Sequence, residues 1–268
     1  MFKQHQHHRA RVIVNGAKKI GVRMSAWRAA LVLLIAIVGI THEAQAQGRF
    51  SRSYPARRNV RLQLINRSGK IEVEGWARNE VKITAIMESP AARLVPTLSD
   101  EGLTIDLVRD NYGRDDVGDV NFKVQVPFDS TVDVETKRGD ISVRNVQGVS
   151  LVARVSTEGD IELTGIRVAT VMAENTMGNI LFDADLMRGG HYELRSTQGD
   201  INLRIGSGSG FMLTATAPRT RSISLGGFAQ MGNFDFLSDK RRVVGRVGDG
   251  SAILNTTNLR GSIALAPR

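Results

Sequence analysis

Thr136-Lys137-Arg138-Gly139-Asp140-Ile141, Thr157-Glu158-Gly159-Asp160-Ile161, Thr176-Met177-Gly178-Asn179-Ile180 and Thr197-Gln198-Gly199-Asp200-Ile201 are copies of one phrase. Their glycines stand 20, 19 and 21 residues apart, a period typical of stacked coils that are each too small to bury their own apolar face. Apolar residues alternate before the Thr (Leu151, Ala153, Val155; Tyr192, Leu194) and after the Ile (Ile161, Leu163; Ile201, Leu203, Ile205). Period-two alternation means strands, so each unit reads as strand, corner, strand, corner. Gly supplies the positive φ of the corner and Asp or Asn bonds nearby backbone. Stacking at about 4.8 Å then lines the Ile residues up inside and leaves the Asp and Asn side chains outside. The fold class expected is all-β: a right-handed β-solenoid-like stack of coils of about 20 residues.

Upstream of Pro127 the alternation continues in Val60, Leu62 and Leu64, in Ile71 and Val73, in Val81, Ile83 and Ala85, in Leu103, Ile105 and Leu107, and from Val120 to Val126. Asn66-Arg67-Ser68-Gly69 turns the chain between the first two runs, which together read as a hairpin. An antiparallel β region is therefore expected over 47–128 and the repeat region over 129–268, although 47–268 also suits one continuous domain. Asp110 to Asp119 reads as a loop, Gly226 to Arg246 as a less regular segment, and Thr257-Asn258-Leu259-Arg260-Gly261-Ser262-Ile263 as a looser last copy. The structural glycines of the repeat are Gly69, Gly139, Gly159, Gly178, Gly199 and Gly261.

The N-terminal end has a different character. Residues 1–46 hold seven Lys or Arg and one acid, so +6 of the net +9 lies there and +3 is left for the rest. A nucleic-acid partner is not implied by so even a remainder. The apolar run Ala29 to Ile40 is 12 residues long, short of the roughly 20 that span a bilayer, and Ala44-Gln45-Ala46 is a small-x-small cleavage site. A signal peptide over 1–46, with Met24 as an alternative start, export to the periplasm or cell surface, and no membrane span after cleavage are expected. With no cysteine in the chain, the exported product holds its fold without disulfides.

The phrase from Leu64-Ile65-Asn66-Arg67-Ser68-Gly69-Lys70-Ile71 to Trp76, followed by Asn79-Glu80-Val81-Lys82-Ile83, resembles the opening of the bacterial putative-adhesin family of exported β-repeat proteins, a domain of unknown function. The Thr-x-Gly-Asp-Ile copies, Gly248-Asp249-Gly250 and Gly261-Ser262-Ile263 are similar to the family's later coils. The resemblance spans about residues 55–266. It implies a right-handed β-solenoid-like fold outside the cytoplasm and carries over no catalytic residue.

Candidate chemistry is sparse. Asp140, Asp160 and Asp200 would stack one coil apart and form a weak candidate cation row, but Asn179 interrupts the charge, and Asp after Gly is ordinary turn chemistry. Glu158, Asp160 and Glu162 could serve a β-helical carbohydrate-active enzyme, yet alternation sends all three to one solvated face. His191, the lone histidine once His42 and the leader are discounted, sits in a strand phrase without a nucleophile elbow. His5, His7 and His8 precede the cleavage site. Gly206-Ser207-Gly208-Ser209-Gly210 lacks the pattern of a phosphate loop and reads as a corner before a strand from Phe211 to Thr216. Lys240-Arg241-Arg242 suits a charged sheet edge that discourages aggregation, with lipopolysaccharide, phospholipid or an anionic glycan as the rival contact. Trp76 is expected to cap the core rather than stack on a sugar. No catalytic residue, cofactor or metal is assigned. The expectation is a non-catalytic envelope or surface scaffold for a protein, a glycan or its own copies, with a carbohydrate-active enzyme and an envelope-stress accessory as alternatives.

Overall fold

Alternating apolar residues need a partner surface for their buried face, and here each strand finds it in the next coil and across the stack. The computed structural model describes residues 48–268, which lie within one unit, Gln45–Arg268; the signal peptide expected over 1–46, with His5, His7 and His8, falls outside the described residues. The strands are β1 (Gly48–Pro55), β2 (Arg61–Ser68), β3 (Ile71–Trp76), β4 (Glu80–Met87), β5 (Thr97–Ser99), β6 (Gly102–Asp106), β7 (Val120–Pro127), β8 (Thr131–Arg138), β9 (Ile141–Arg144), β10 (Ser150–Glu158) and β11 (Ile161–Ile166). They continue with β12 (Thr170–Met177), β13 (Ile180–Ala184), β14 (His191–Gln198), β15 (Ile201–Ile205), β16 (Phe211–Thr216), β17 (Ile223–Ser224), β18 (Gly232–Phe236), β19 (Arg242–Val247), β20 (Ala252–Asn258) and β21 (Ile263–Pro267). A single helical turn, α1 (Leu107–Asp110), is capped by the Asp106 carboxylate accepting from the Arg109 N–H.

Two sheets face each other. One runs β1-β4-β7-β3-β9-β11-β13-β15-β21-β17 and the other β18-β19-β16-β20-β14-β12-β10-β8-β2-β6-β5. Each coil places one strand in each sheet, and neighbouring coils pair in parallel, Ile161 opposite Ile141 on one side and Ile180 on the other, with local irregularities after Val155 and Thr164. Ile71, Ile141, Ile161, Ile180, Ile201 and Ile263 thus form one interior column, every member 0–1% exposed. Each contributes about 2 kcal/mol of burial, which a one-residue register slip would forfeit. The solenoid-like stack expected from the repeat is the fold observed.

The order of the coils is not the order of the chain. The β6/β7 coil stacks outside β2/β3, while β8/β9 takes the other side. At the far end β20/β21 inserts between β14/β15 and β16/β17. Corner chemistry explains the insertion. The last copy keeps its glycine, and a Cβ on Gly261 would lie 2.0 Å from the Gly199 carbonyl oxygen, so only this coil can sit directly on that corner. The segment between β16 and β17 has no Gly-Asx corner and is left at the end of the stack.

The hairpin expected at Asn66–Gly69 is corrected: β2 and β3 lie in opposite sheets, and the turn is one more coil corner. The Gly69 N–H donates to the Arg138 carbonyl of the next coil, at 3.0 Å, rather than back across a hairpin. True antiparallel pairing is confined to the ends, in β1/β4/β7 and β5/β6 at one and β16/β19/β18 at the other. These terminal strands blunt the open edges: β5 has three residues, β17 two, and β1 carries Arg49, Arg52 and Pro55.

Candidate functional site: the two edges of the stack

Where a coil passes from one sheet to the other it turns at one of two edges, and the two are built differently. At the first edge five consecutive coils turn at Gly69-Lys70, Gly139-Asp140, Gly159-Asp160, Gly178-Asn179 and Gly199-Asp200, each two residues long, while the end coils use the longer connections 107–119, 217–222 and 259–262. Gly139 has φ 113° and Gly159 φ 148°, and a Cβ on Gly159 would meet the Gly139 carbonyl oxygen at 2.2 Å. No side chain fits that column.

Lys70 pairs with Glu72 of its own coil, but the Asp or Asn after each of the other four glycines bonds the next coil. Asp140 Oδ1 accepts from the Asp160 N–H at 2.9 Å, Asp160 Oδ1 from Asn179 N–H at 2.7 Å, and Asn179 Oδ1 from Asp200 N–H at 2.9 Å. Asp200 Oδ1 closes the series on the backbone N–H and hydroxyl of Ser262, both at 2.8 Å. These two bonds, the backbone one first, hold the Asp200 carboxyl below the ordinary aspartate range. Only an acceptor oxygen is required, so Asn179 interrupts a row of charges but not the ladder. Asn175 and Asn258 add an inner support, donating from Nδ2 to the Gly159 and Gly199 carbonyls at 2.8 and 2.7 Å.

This geometry places the candidate cation row Asp140, Asp160 and Asp200 in structural bonds. Among the described residues no group of three or more His, Cys, Asp or Glu side chains converges on a metal-sized site. Glu158, Asp160 and Glu162 do not share a face, because the Gly159 corner resets the alternation. Glu158 ends β10 in one sheet, while Glu162 stands on the other, with its Oε2 3.6 Å from Arg144 Nη2. His191 is exposed at the start of β14.

The second edge shares no common pattern. Its corners, 128–130, 145–149, 167–169, 185–190 and 206–210, are three to six residues long. Backbone pairing still runs along it, with Gln147 N–H donating to Phe128 O, Arg167 N–H to Val146 O and Asp185 N–H to Ile166 O at 2.8–3.1 Å. Individual side chains then pin single corners. The buried Tyr192 hydroxyl donates to Val168 O at 2.9 Å and accepts from Met187 N–H at 2.7 Å, and burial pushes its pKa up. Ser209 Oγ accepts from the Leu186 N–H. The Gly-Ser-Gly-Ser-Gly stretch is the corner before β16, whose bounds are Phe211–Thr216.

Clefts open along this second edge. One of about 490 Å³ lies between Arg167, Asp185, Arg188 and Ser209; one of about 380 Å³ follows the turns around Ser207 and Asp249; one of about 260 Å³ is framed by Arg58, Trp76, Arg78 and Asp129. A fourth, of about 280 Å³, sits under the Pro55–Val60 turn. None of these is lined by a Gly-Asx corner, and none gathers more than two carboxylates. Trp76 departs from its expected place. Because Ile71, Val73 and Gly75 point inward, Trp76 stands on the outer face, half-buried, with its indole N–H donating to Glu80 O at 2.9 Å.

Lys240 and Arg241 lie in the β18–β19 turn and Arg242 opens β19, where Asp239 holds its Nε at 2.6 Å. Among the described residues no helix is long and apolar enough to cross a membrane.

Three solved structures are similar over most of their length. A putative cell adhesion protein from Clostridium sporogenes has a TM-score of 0.45 at 11% identity, covering 82% of this chain and 97% of that one. A putative adhesin from Bacteroides fragilis follows with a TM-score of 0.38, 11% identity and coverage of 83% and 99%. A putative lipid binding protein from Parabacteroides distasonis gives 0.31, 9%, 82% and 97%. No curated protein matches the chain. Residues 62–218, more than half of the sequence, match the family described as Toastrack DUF4097, and the chain therefore belongs to the Toastrack family, a domain of unknown function.

Proposed function

We propose that this protein is a non-catalytic binding scaffold outside the cytoplasm, at the envelope or cell surface, that meets its partner through the variable edge. The observation that carries this reading is the division of labour between the edges. The Gly-Asx edge spends its acceptors on the neighbouring coil, whereas the clefts and the irregular corners share the opposite edge. Binding residues concentrate on irregular loops held by a rigid scaffold, and a stacked sheet supplies that rigidity. The export pattern in residues 1–46 supports the compartment.

The reading is tested by presenting the protein to envelope extracts and to a glycan array, alongside R167E/R188E on the variable edge and K137E/E158K beside the Gly-Asx edge. Specific capture of one partner class, lost in the first pair and kept in the second, is the expected result. Capture unaffected by the first pair, or release of reducing ends from a polysaccharide by the purified protein, would overturn it.

A further inference from the structure

The cleft beside Trp76 has a composition the other clefts lack, with two aromatic residues, Trp76 and Phe128, two guanidinium groups, one carboxylate and two amides around about 260 Å³. The Arg78 guanidinium lies over the indole at 5.0 Å from the ring centroid, and its Nη1 is 3.4 Å from Glu80 Oε1. Cation–π stacking holds a guanidinium in place without consuming its donors. The indole is itself fixed by the bond to Glu80 O, so Arg78 is presented on a braced platform. Arg58, exposed and lining the same cleft, takes part in no ion pair among the described residues.

Two guanidinium groups lining one small cleft suit one oxyanion, because planar fork donors match carboxylate and phosphate oxygens. Asp129 lines the same cleft and would repel a bare anion, yet a carboxylate is a strong acceptor for hydroxyl groups. Asn79 and Gln147 add amide donors and acceptors to the lining. A ligand that satisfies all of these carries one acidic group and several hydroxyls. From this juxtaposition we infer that the Trp76 cleft is a binding subsite for an acidic sugar residue, its carboxylate held between Arg58 and Arg78 and its hydroxyls by Asp129, Asn79 and Gln147. The inference rests on the scaffold reading and names the ligand class for one of its clefts.

Trp27 and Trp76 are the two tryptophans, so the full chain carrying W27F reports Trp76 emission alone. It is titrated with a galacturonate trisaccharide, a neutral galactose trisaccharide and inorganic phosphate, and the same titrations are repeated by calorimetry. The acidic trisaccharide is expected to perturb Trp76 and bind at least tenfold more tightly than either other probe. R58A should weaken it at least tenfold, R58K less, and D129A should weaken it while leaving phosphate unchanged or improved; R204A, on a distant coil, should have no effect. Thermal unfolding of each variant checks that the exposed substitutions leave the fold intact. The inference is overturned if the acidic trisaccharide does not bind, if the neutral sugar or phosphate binds equally well, or if R58A has no effect. Failure here with partner capture still dependent on Arg167 and Arg188 removes this subsite alone and leaves the scaffold reading standing.

Discussion

The two edges of the stack are made by the same chain at the same period, and through five consecutive coils one is uniform where the other is not. At the Gly-Asx edge a two-residue corner recurs, the glycine is enforced by a carbonyl about 2.2 Å from its absent Cβ, and the next residue reaches forward to the following coil. At the opposite edge the corners vary from three to six residues and are pinned one at a time by Tyr192 or Ser209. A repeat protein needs only one edge to fix its register. The other is then free to vary in length and chemistry without loss of the column of Ile residues, and the clefts are found there.

Glycine substitutions should break this comparison most sharply. G159A forces a Cβ into the Gly139 carbonyl at a φ that side chains rarely adopt, and about 3 kcal/mol or more of stability should be lost. G208A, at a corner of the variable edge where a Cβ meets nothing within 4 Å, should change stability by less than about 0.5 kcal/mol. Chemical denaturation of the pair checks both, and equal losses would contradict the asymmetry.

Removing a single pin is expected to rank next. Y192F leaves Met187 N–H and Val168 O without their shared partner, costing about 2 kcal/mol, with faster hydrogen exchange confined to the corners around Val168 and Met187. The ladder itself is probed by Asp160. D160A should cost about 1 kcal/mol, whereas D160N, which keeps the acceptor, should be nearly neutral; a large cost for D160N would mean that charge matters at this edge after all.

The smallest effect is one of pH. The bonds from Ser262 lower the Asp200 pKa in the folded chain, so its contribution is fully present above the unfolded value near about 4 and fades as the pH falls through the lowered folded value. D200N titrates in neither state, so its unfolding midpoint should fall less than that of the parent between about pH 4 and pH 2. A midpoint that falls in parallel with the parent would remove Asp200 from the acid response.

Much of the Gly-Asx edge is legible in the sequence because one residue type recurs at one spacing for one steric reason. The inward Ile column and the outward Asp140, Asp160 and Asp200 follow from it. What the row of acids does is less legible. That Asp160 bonds Asn179 across coils, rather than its own turn, depends on the parallel register, which pairing alone determines. The coil order is hidden for a similar reason, since Gly261 signals a corner but not that the corner belongs on Gly199. The variable edge is hidden almost entirely. Arg58, Trp76, Asp129 and Gln147 are scattered over some 90 residues and meet only because successive coils stack. The one available signal was Gly75, whose inward position at the end of β3 puts Trp76 on the outer face.

Site-specific photo-crosslinking in producing cells tests the central claim most directly. A photoreactive residue is placed singly at Asp129, Gln147, Arg167 and Arg188 on the variable edge, and at Lys137, Glu158, Met177 and Gln198 beside the Gly-Asx edge, all exposed positions. The account predicts a discrete adduct from the first set and none from the second. Adducts of equal yield from both sets, or from the second alone, would contradict it.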